Sequence, residues 1–258
     1  MRKRVFLFVI VIIFQFDVLM PVTGIEIMKK VFNRSEGKSL KMNLEMTLIN
    51  RMGRKRVRVI SVVRKSNKDS VKTLFMFKSP SDVKGVKFLS IDPVSSLEES
   101  NRWLYLPSIK RVQRVSGSSR NDYFMGSDLT YNELRKRRVD EENHKLVGSK
   151  AVDGHFCWIV ESVSKSDKDI YGKRISYIRK DVLIPIEAEY FSKTGKKIKL
   201  LKVKKLKEFD GIWIVEKLEM ENLKKKHKTI LEIKKVRLNV KISDSLFSPS
   251  RLERVKIR

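Results

Sequence analysis

Residues 40–48 restrict the fold more than any other stretch of the chain. Leu40, Met42, Leu44, Met46 and Leu48 alternate with Lys41, Asn43, Glu45, Thr47 and Ile49. A period of two puts the first set on one face of a β-strand and the second, mainly polar set on the other. The polar turn Asn50-Arg51-Met52-Gly53-Arg54 follows, with Gly53 free to take positive φ. Residues 56–63 then read as the returning strand of a hairpin. Further strands are predicted over 70–77, 86–91 and 102–106, broken by Pro80, Gly85, Pro93 and Pro107. The second half predicts a long antiparallel meander over 145–151, 155–164, 171–179, 182–191, 196–209, 212–222 and 228–240. Gly154, Gly195 and Asp210-Gly211 supply its hairpin turns. A short helix is expected over 25–32 from its apolar spacing, and another over 129–134, capped by Ser127 or Asp128. Near the C-terminus, Leu246 and Phe247 are expected to dock on the sheet. So many strands in series make one large sheet. It must curl or be covered to bury its apolar face.

The chain starts Met1-Arg2-Lys3-Arg4, runs apolar from Val5 to Phe14, and reaches Val22-Thr23-Gly24. A basic start, a short apolar core and small residues describe a secretory signal, with cleavage expected after Gly24. The apolar run is shorter than the roughly 20 residues a transmembrane helix needs. Cys157 is the lone cysteine, so an exported chain would hold no internal disulfide. It is expected as a small buried hydrophobe on a strand. A 41% hydrophobic content is enough for a core at this length. The formal net charge is +28. Loss of Arg2, Lys3, Arg4 and Asp17 with the leader would leave +26. Such a charge favours anionic partners, but the lysines are spread over the whole chain, as on ordinary solvated faces. An exported protein meets little nucleic acid, so none is expected as a partner.

The residues offer little for catalysis. His144, His155 and His227 lie outside any metal-binding spacing. There is no nucleophile elbow, phosphate loop or dinucleotide fingerprint. Glu98-Glu99 and Asp140-Glu141-Glu142 are adjacent carboxylates in polar stretches, where charge is usually just solvated. The expectation is a protein that is not an enzyme and needs no cofactor or metal.

What stands out instead is soft and aromatic bulk. Leu44, Met46, Leu48, Phe75, Phe77, Phe88, Trp103 and Tyr105 fall on predicted strands. Methionine and aromatic walls suit an adaptable apolar pocket, although an ordinary packed core has the same composition. After the polar stretch 116–122, Phe124, Met125 and Gly126 put large apolar groups beside a glycine on an expected mobile loop. Arg111, Arg114 and Arg120 flank it. They read either as contacts for phosphate or carboxylate head groups or for a partner, or as an exposed basic loop.

Several of these pieces, taken in order, carry a resemblance. They are residues 46–54 (MTLINRMGR), 77–89 (FKSPSDVKGVKFL), 103–107 (WLYLP), 124–131 (FMGSDLTY), 210–213 (DGIW), then Leu246-Phe247 through Leu252-Glu253-Arg254. The chain resembles the LolA-like outer-membrane lipoprotein-sorting protein family, in its branch associated with transporters of the resistance-nodulation-division type. The resemblance covers essentially all of residues 25–258, which it implies form one domain after a signal peptide at 1–24. It implies an α+β, mainly β fold: a strongly curved antiparallel sheet, an unclosed half β-barrel, with short helices as a lid over a hydrophobic cavity. It further implies a periplasmic carrier that binds the acyl chains of lipoproteins or phospholipid and transfers them toward the outer membrane. The eight wall residues above would then line the cavity, and Phe124, Met125 and Gly126 would form its gate. An inner-membrane transporter, an outer-membrane acceptor and transient contact with a membrane surface are the implied partners. The alternative is a non-enzymatic periplasmic adaptor of such a transporter.

Overall fold

The computed structural model describes residues 22–94 and 100–256. The apolar run of the expected leader, and Glu98-Glu99, lie outside the described residues. Helix α1 (Gly24–Asn33) leads into β1 (Ser39–Ile49), β2 (Lys55–Ser66), β3 (Ser70–Ser79), β4 (Lys87–Pro93), β5 (Asn101–Leu106) and β6 (Arg111–Arg114). An irregular segment with three short 3₁₀ turns follows. Next come β7 (Glu142–Val152), β8 (His155–Ser164), β9 (Tyr171–Arg179), β10 (Pro185–Ser192), β11 (Lys197–Phe209), β12 (Ile212–Asn222) and β13 (His227–Leu238). The strand positions follow the alternation and the turn residues. Asp153-Gly154 and Asp210-Gly211 both have positive φ, the pairing a two-residue hairpin of type I′ requires.

All thirteen strands join one sheet in the order β6-β5-β4-β3-β2-β1-β13-β12-β11-β10-β9-β8-β7. Neighbours in the sheet are neighbours in sequence, except that β1 pairs antiparallel with β13 and so joins the two halves. A sheet of this breadth curls, and this one is curved and unclosed. The topology has one consequence for function. Strands β6 and β7 are the two outer edges, so the segment between them, 115–141, must travel from one edge to the other. It does so across one face of the sheet, called here the inner face.

The lid expected over that face is therefore one α-helix plus this irregular segment, not a set of helices. Helix α1 covers the β7–β9 end. Thr23 caps it through a capping box: the Glu26 amide donates to Thr23 Oγ1 at 3.3 Å, and the Thr23 amide donates to Glu26 at 2.7 Å. Ile27, fully buried, packs with Val160 and Ile178. A Cβ on Gly24 would sit 2.6 Å from the Leu146 nitrogen, so the helix begins in direct backbone contact with β7.

The expected helix over 129–134 does not form. Its proposed cap, Asp128, turns its carboxylate to β13. Thr130 and Glu133 instead bond each other's amides, at 2.7 and 3.2 Å, and hold a single turn. Strand β6, for which the sequence predicted no strand, pairs with β5 as an exposed edge. Its two arginines suit an edge, because charge discourages further strand pairing.

The outer face of β2–β5 is covered by the C-terminal segment. Val63, Leu74, Met76 and Leu89 pack there with Ile242, Phe247, Leu252 and Val255. Lys87 ties this segment down by donating to the Leu252 and Glu253 carbonyls. Both faces of these strands are thus apolar, which is why Leu74-Phe75-Met76-Phe77 is buried as a continuous run.

Candidate functional site

The apolar wall forms on the inner face where alternation places it. Leu44, Met46 and Leu48 of β1, Phe75 and Phe77 of β3 and Phe88 of β4 join Ile60 and Val62 of β2 in one cluster. Trp103 and Tyr105 do not belong to this wall. Register sets Phe88 opposite Leu104 and Leu89 opposite Trp103. The inner-facing residue of β5 is therefore Leu104, and Trp103 and Tyr105 pack outside with the C-terminal segment. Both faces of β5 carry large side chains, so residue type could not separate them.

Phe124 is the centre of the site. It is fully buried, and its ring centroid lies 5.3 to 5.8 Å from those of Phe75, Phe77, Phe88 and Tyr131. The expected gate residue thus plugs the wall it was expected to guard. Met125 and Gly126 form the turn behind it, both in the left-handed region with φ of 47° and 72°. Gly126 is exposed, and Met125 packs on the edge of the cluster.

Polar contacts, spread over β2, β9, β11 and β13, hold the plug in place. The Arg58 guanidinium donates to the Met125 carbonyl. Asp128, 1% exposed, accepts from the Thr229 hydroxyl at 2.8 Å and lies 2.6 Å from His227 Nδ1. Its amide donates to Thr229 Oγ1 at 2.8 Å. Glu133 takes bonds from the Tyr171 hydroxyl at 2.7 Å and from Lys199 at 3.1 Å. Burial pushes the Lys199 amine down from its usual value, against the pull of Glu133. Burial, reinforced by Glu133, pushes the Tyr171 phenol up. These links join residues 38 to 101 positions apart, beyond what periodicity can reveal. His227, expected as a plain strand or surface histidine, belongs to this framework, while His144 bonds Ser162 and the Val139 carbonyl elsewhere on the segment. Cys157 is buried as expected, and burial raises its thiol pKa.

Beyond the aromatic plug the inner face turns polar. On β4 it passes from Phe88 to Ser90 and Asp92, and on β5 from Leu104 to Arg102. These residues lead into a cavity of about 760 Å³ where the β5–β6 end of the sheet faces the β8–β9 turn. Asn121 donates to the Lys168 carbonyl at 2.7 Å across this seam. Arg135, Arg137 and Arg138 stand in its wall and are matched by acids: Arg135 and Arg138 by Glu141, Arg137 by Glu142 and Asp169. Although burial disfavours its charge, Arg137 is held cationic by those two carboxylates. Arg114 and Arg120 line this cavity, while Arg111 stays on the exposed edge strand outside it. The sequence reading missed the rest of the lining. The signal was there as Arg135-Lys136-Arg137-Arg138, four successive cations in an otherwise dispersed pattern.

A family model described as an uncharacterized protein matches residues 69–254. The chain belongs to that family. Three solved structures share its architecture. One, from Vibrio parahaemolyticus, is described as a candidate outer membrane lipoprotein-sorting protein domain; it is 24% identical, with 89% of this chain and 98% of that one covered and a TM-score of 0.84. A DUF1329 family protein from Desulfovibrio piger is 29% identical over 89% and 97% of the two chains, also at 0.84. A LolA superfamily protein from Nitrosomonas europaea is 17% identical over 88% and 98%, at 0.69. No curated protein matches. The fold is the LolA-like one that the sequence resemblance implied. Among the described residues, no helix is long and apolar enough to cross a membrane.

Proposed function

We propose that this protein is a periplasmic, non-enzymatic carrier that shelters the acyl chains of lipoproteins or phospholipid against the inner face of its sheet. One observation carries the reading: the apolar wall is covered by a single irregular segment, held by polar as well as apolar contacts, with Phe124 inserted where a ligand tail would lie. An acyl chain that displaced Phe124 would recover its burial at roughly 0.8 kcal/mol per methylene. The polar latches at Asp128 and Glu133 would re-form with water when the segment lifts. No covalent step is needed. A donor in the inner membrane and an acceptor in the outer membrane fit this role. The +26 formal charge left after loss of the leader would aid brief contact with anionic membrane surfaces.

Export by a cleaved leader belongs to the same proposal. Thr23 caps α1, and Gly24 packs on β7 without room for a Cβ. A cut that keeps both falls before Thr23, not after Gly24.

Native mass spectrometry with lipid extraction, on protein purified from the periplasm without detergent, tests this reading. Near-stoichiometric acyl lipid or lipopeptide is the expected result, on a chain whose mass retains Thr23. An empty protein that co-purifies with a membrane transporter would replace the carrier with the adaptor reading.

A further inference from the structure

Among the described residues, the cavity at the seam holds more positive charge than its own acids neutralise. Arg135, Arg137 and Arg138 are matched by carboxylates, as described above. Among the described residues, Arg114, Arg120, Lys165 and Lys168 have no carboxylate within 4.0 Å, and all four line the same space. Arg114 and Arg120 are instead held by neutral oxygens: Arg114 donates to Asn101 at 2.5 Å and Arg120 to the Gly117 carbonyl at 2.6 Å. Arg102 stands at the inner end. Its side chain is 8% exposed, its Nε is buried without a hydrogen-bond partner, and Asp92 lies 3.8 Å away, beyond bonding distance. A buried donor without a partner is a cost that a bound anion would remove.

We propose that this cavity is a binding site for a phosphoryl group, with Arg102 at its floor and Arg114, Arg120, Lys165 and Lys168 around its mouth. Several unneutralised cations call for an anion of more than one charge, and the guanidinium fork matches phosphate oxygens two at a time. A volume of about 760 Å³ exceeds what a lone phosphate fills, so the site admits the phosphoryl with its substituent. The group comes either from a lipid head group or from a free phosphate compound. The location bears on the first source. The cavity continues the inner face directly past Phe88 and Leu104, so a lipid with its tails on the wall would carry its head here. The site itself stands on its own geometry; only that assignment of source rests on the carrier reading.

Calorimetric titration of the intact mature protein tests this with three probes below their micelle concentrations: pyrophosphate, dihexanoyl phosphatidic acid and dihexanoylglycerol. The double variant Arg114→Gln/Lys168→Gln alters two exposed side chains, and Arg102→Gln alters the floor. Lys204→Gln/Lys235→Gln, on exposed positions of β11 and β13, is the charge control, and thermal melts verify folding. The expected result is one equivalent of phosphatidic acid bound, weakened at least tenfold in both cavity variants and less than twofold in the control. Pyrophosphate bound with the same variant pattern supports the site with a free phosphate as source. Equal weakening in cavity variants and control, or binding of neither phosphate probe, overturns the proposal. If dihexanoylglycerol still binds in that case, the carrier reading survives alone; if it does not bind, both fall.

Discussion

The same strands, β2 to β5, are covered on both faces, and the two covers differ in kind. Outside, the C-terminal segment buries Ile242, Phe247, Leu252 and Val255 over four strands, and Lys87 bonds its backbone twice. Inside, the crossing segment places Phe124 in a nest of rings and fastens it through Arg58, Asp128 and Glu133, beside two left-handed residues. An apolar cover loses its stabilisation when water enters. Polar fastenings exchange one set of hydrogen bonds for another at modest net cost, about 0.5–1.5 kcal/mol each. Under the carrier proposal the inner cover is the one that lifts and the outer one is the one that stays.

Truncating the plug of each cover should break this symmetry most visibly. Phe124→Ala and Phe247→Ala each remove a buried ring, and each should cost about 3–5 kcal/mol, read from denaturant unfolding. Only Phe124→Ala should raise uptake of a fluorescent fatty-acid probe, because only it empties the wall formed by Phe75, Phe77 and Phe88. Equal gains in the two variants would mean that the faces are interchangeable and that the inner wall has no special claim to a ligand.

The difference between the covers was only partly legible in the sequence. Alternation at Leu40–Leu48 and the Asp-Gly turns marked the strands and their hairpins, because period and positive φ are local properties. The face was not local. Phe88 and Leu89, or Leu104 and Tyr105, are equally apolar neighbours, so Trp103 and Tyr105 were assigned to the wrong side. Only pairing register decides which lies inside. Asp128 suggested a helix cap for the same reason. Its true partners, His227 and Thr229, lie 99 and 101 residues away on β13, which reaches Asp128 only because it pairs with β1. The cationic cavity is assembled from both ends of the sheet, so single arginines could be suspected but the enclosure could not.

A smaller effect should separate the two sets of fastenings. Asp128→Asn keeps the shape of a buried side chain and removes its charge beside His227. A loss of about 1–3 kcal/mol is expected, with faster amide exchange over 123–130 and tighter apparent binding of the fatty-acid probe, since more molecules would be open. Asp244→Asn cuts the ion pairs to Lys65 and Lys72 that help hold the outer cover. Asp244 is largely exposed, and such pairs contribute little, so neither exchange nor uptake should change. Slower uptake in Asp128→Asn would show that the latch assembles the binding state and does not restrain it.

Acidification should loosen the inner cover alone. His144 binds the far end of the crossing segment: Nε2 donates to the Val139 carbonyl at 3.0 Å, while Nδ1 lies 2.9 Å from the Ser162 hydroxyl. Burial lowers its pKa below the ordinary value of 6.5; Glu142 opposes that shift, and Arg174 and Lys165 add to it. A histidine with a lowered folded pKa binds protons more readily when unfolded. Its contribution is therefore complete above about pH 6.5 and is lost as pH falls through the depressed value. Glu142, lowered by Arg174 and Arg137 against the effect of burial, acts in a separate window, below its ordinary 4.5. The outer cover, residues 240–256, contains no histidine. Between pH 7.5 and 5.5 the melting temperature should fall slightly, with deuterium uptake rising over 134–144 and constant over 240–255. His144→Gln should flatten that slope. A slope that persists in the variant would place the titrating group elsewhere, and loosening of both segments together would mean that the two covers unfold as one unit.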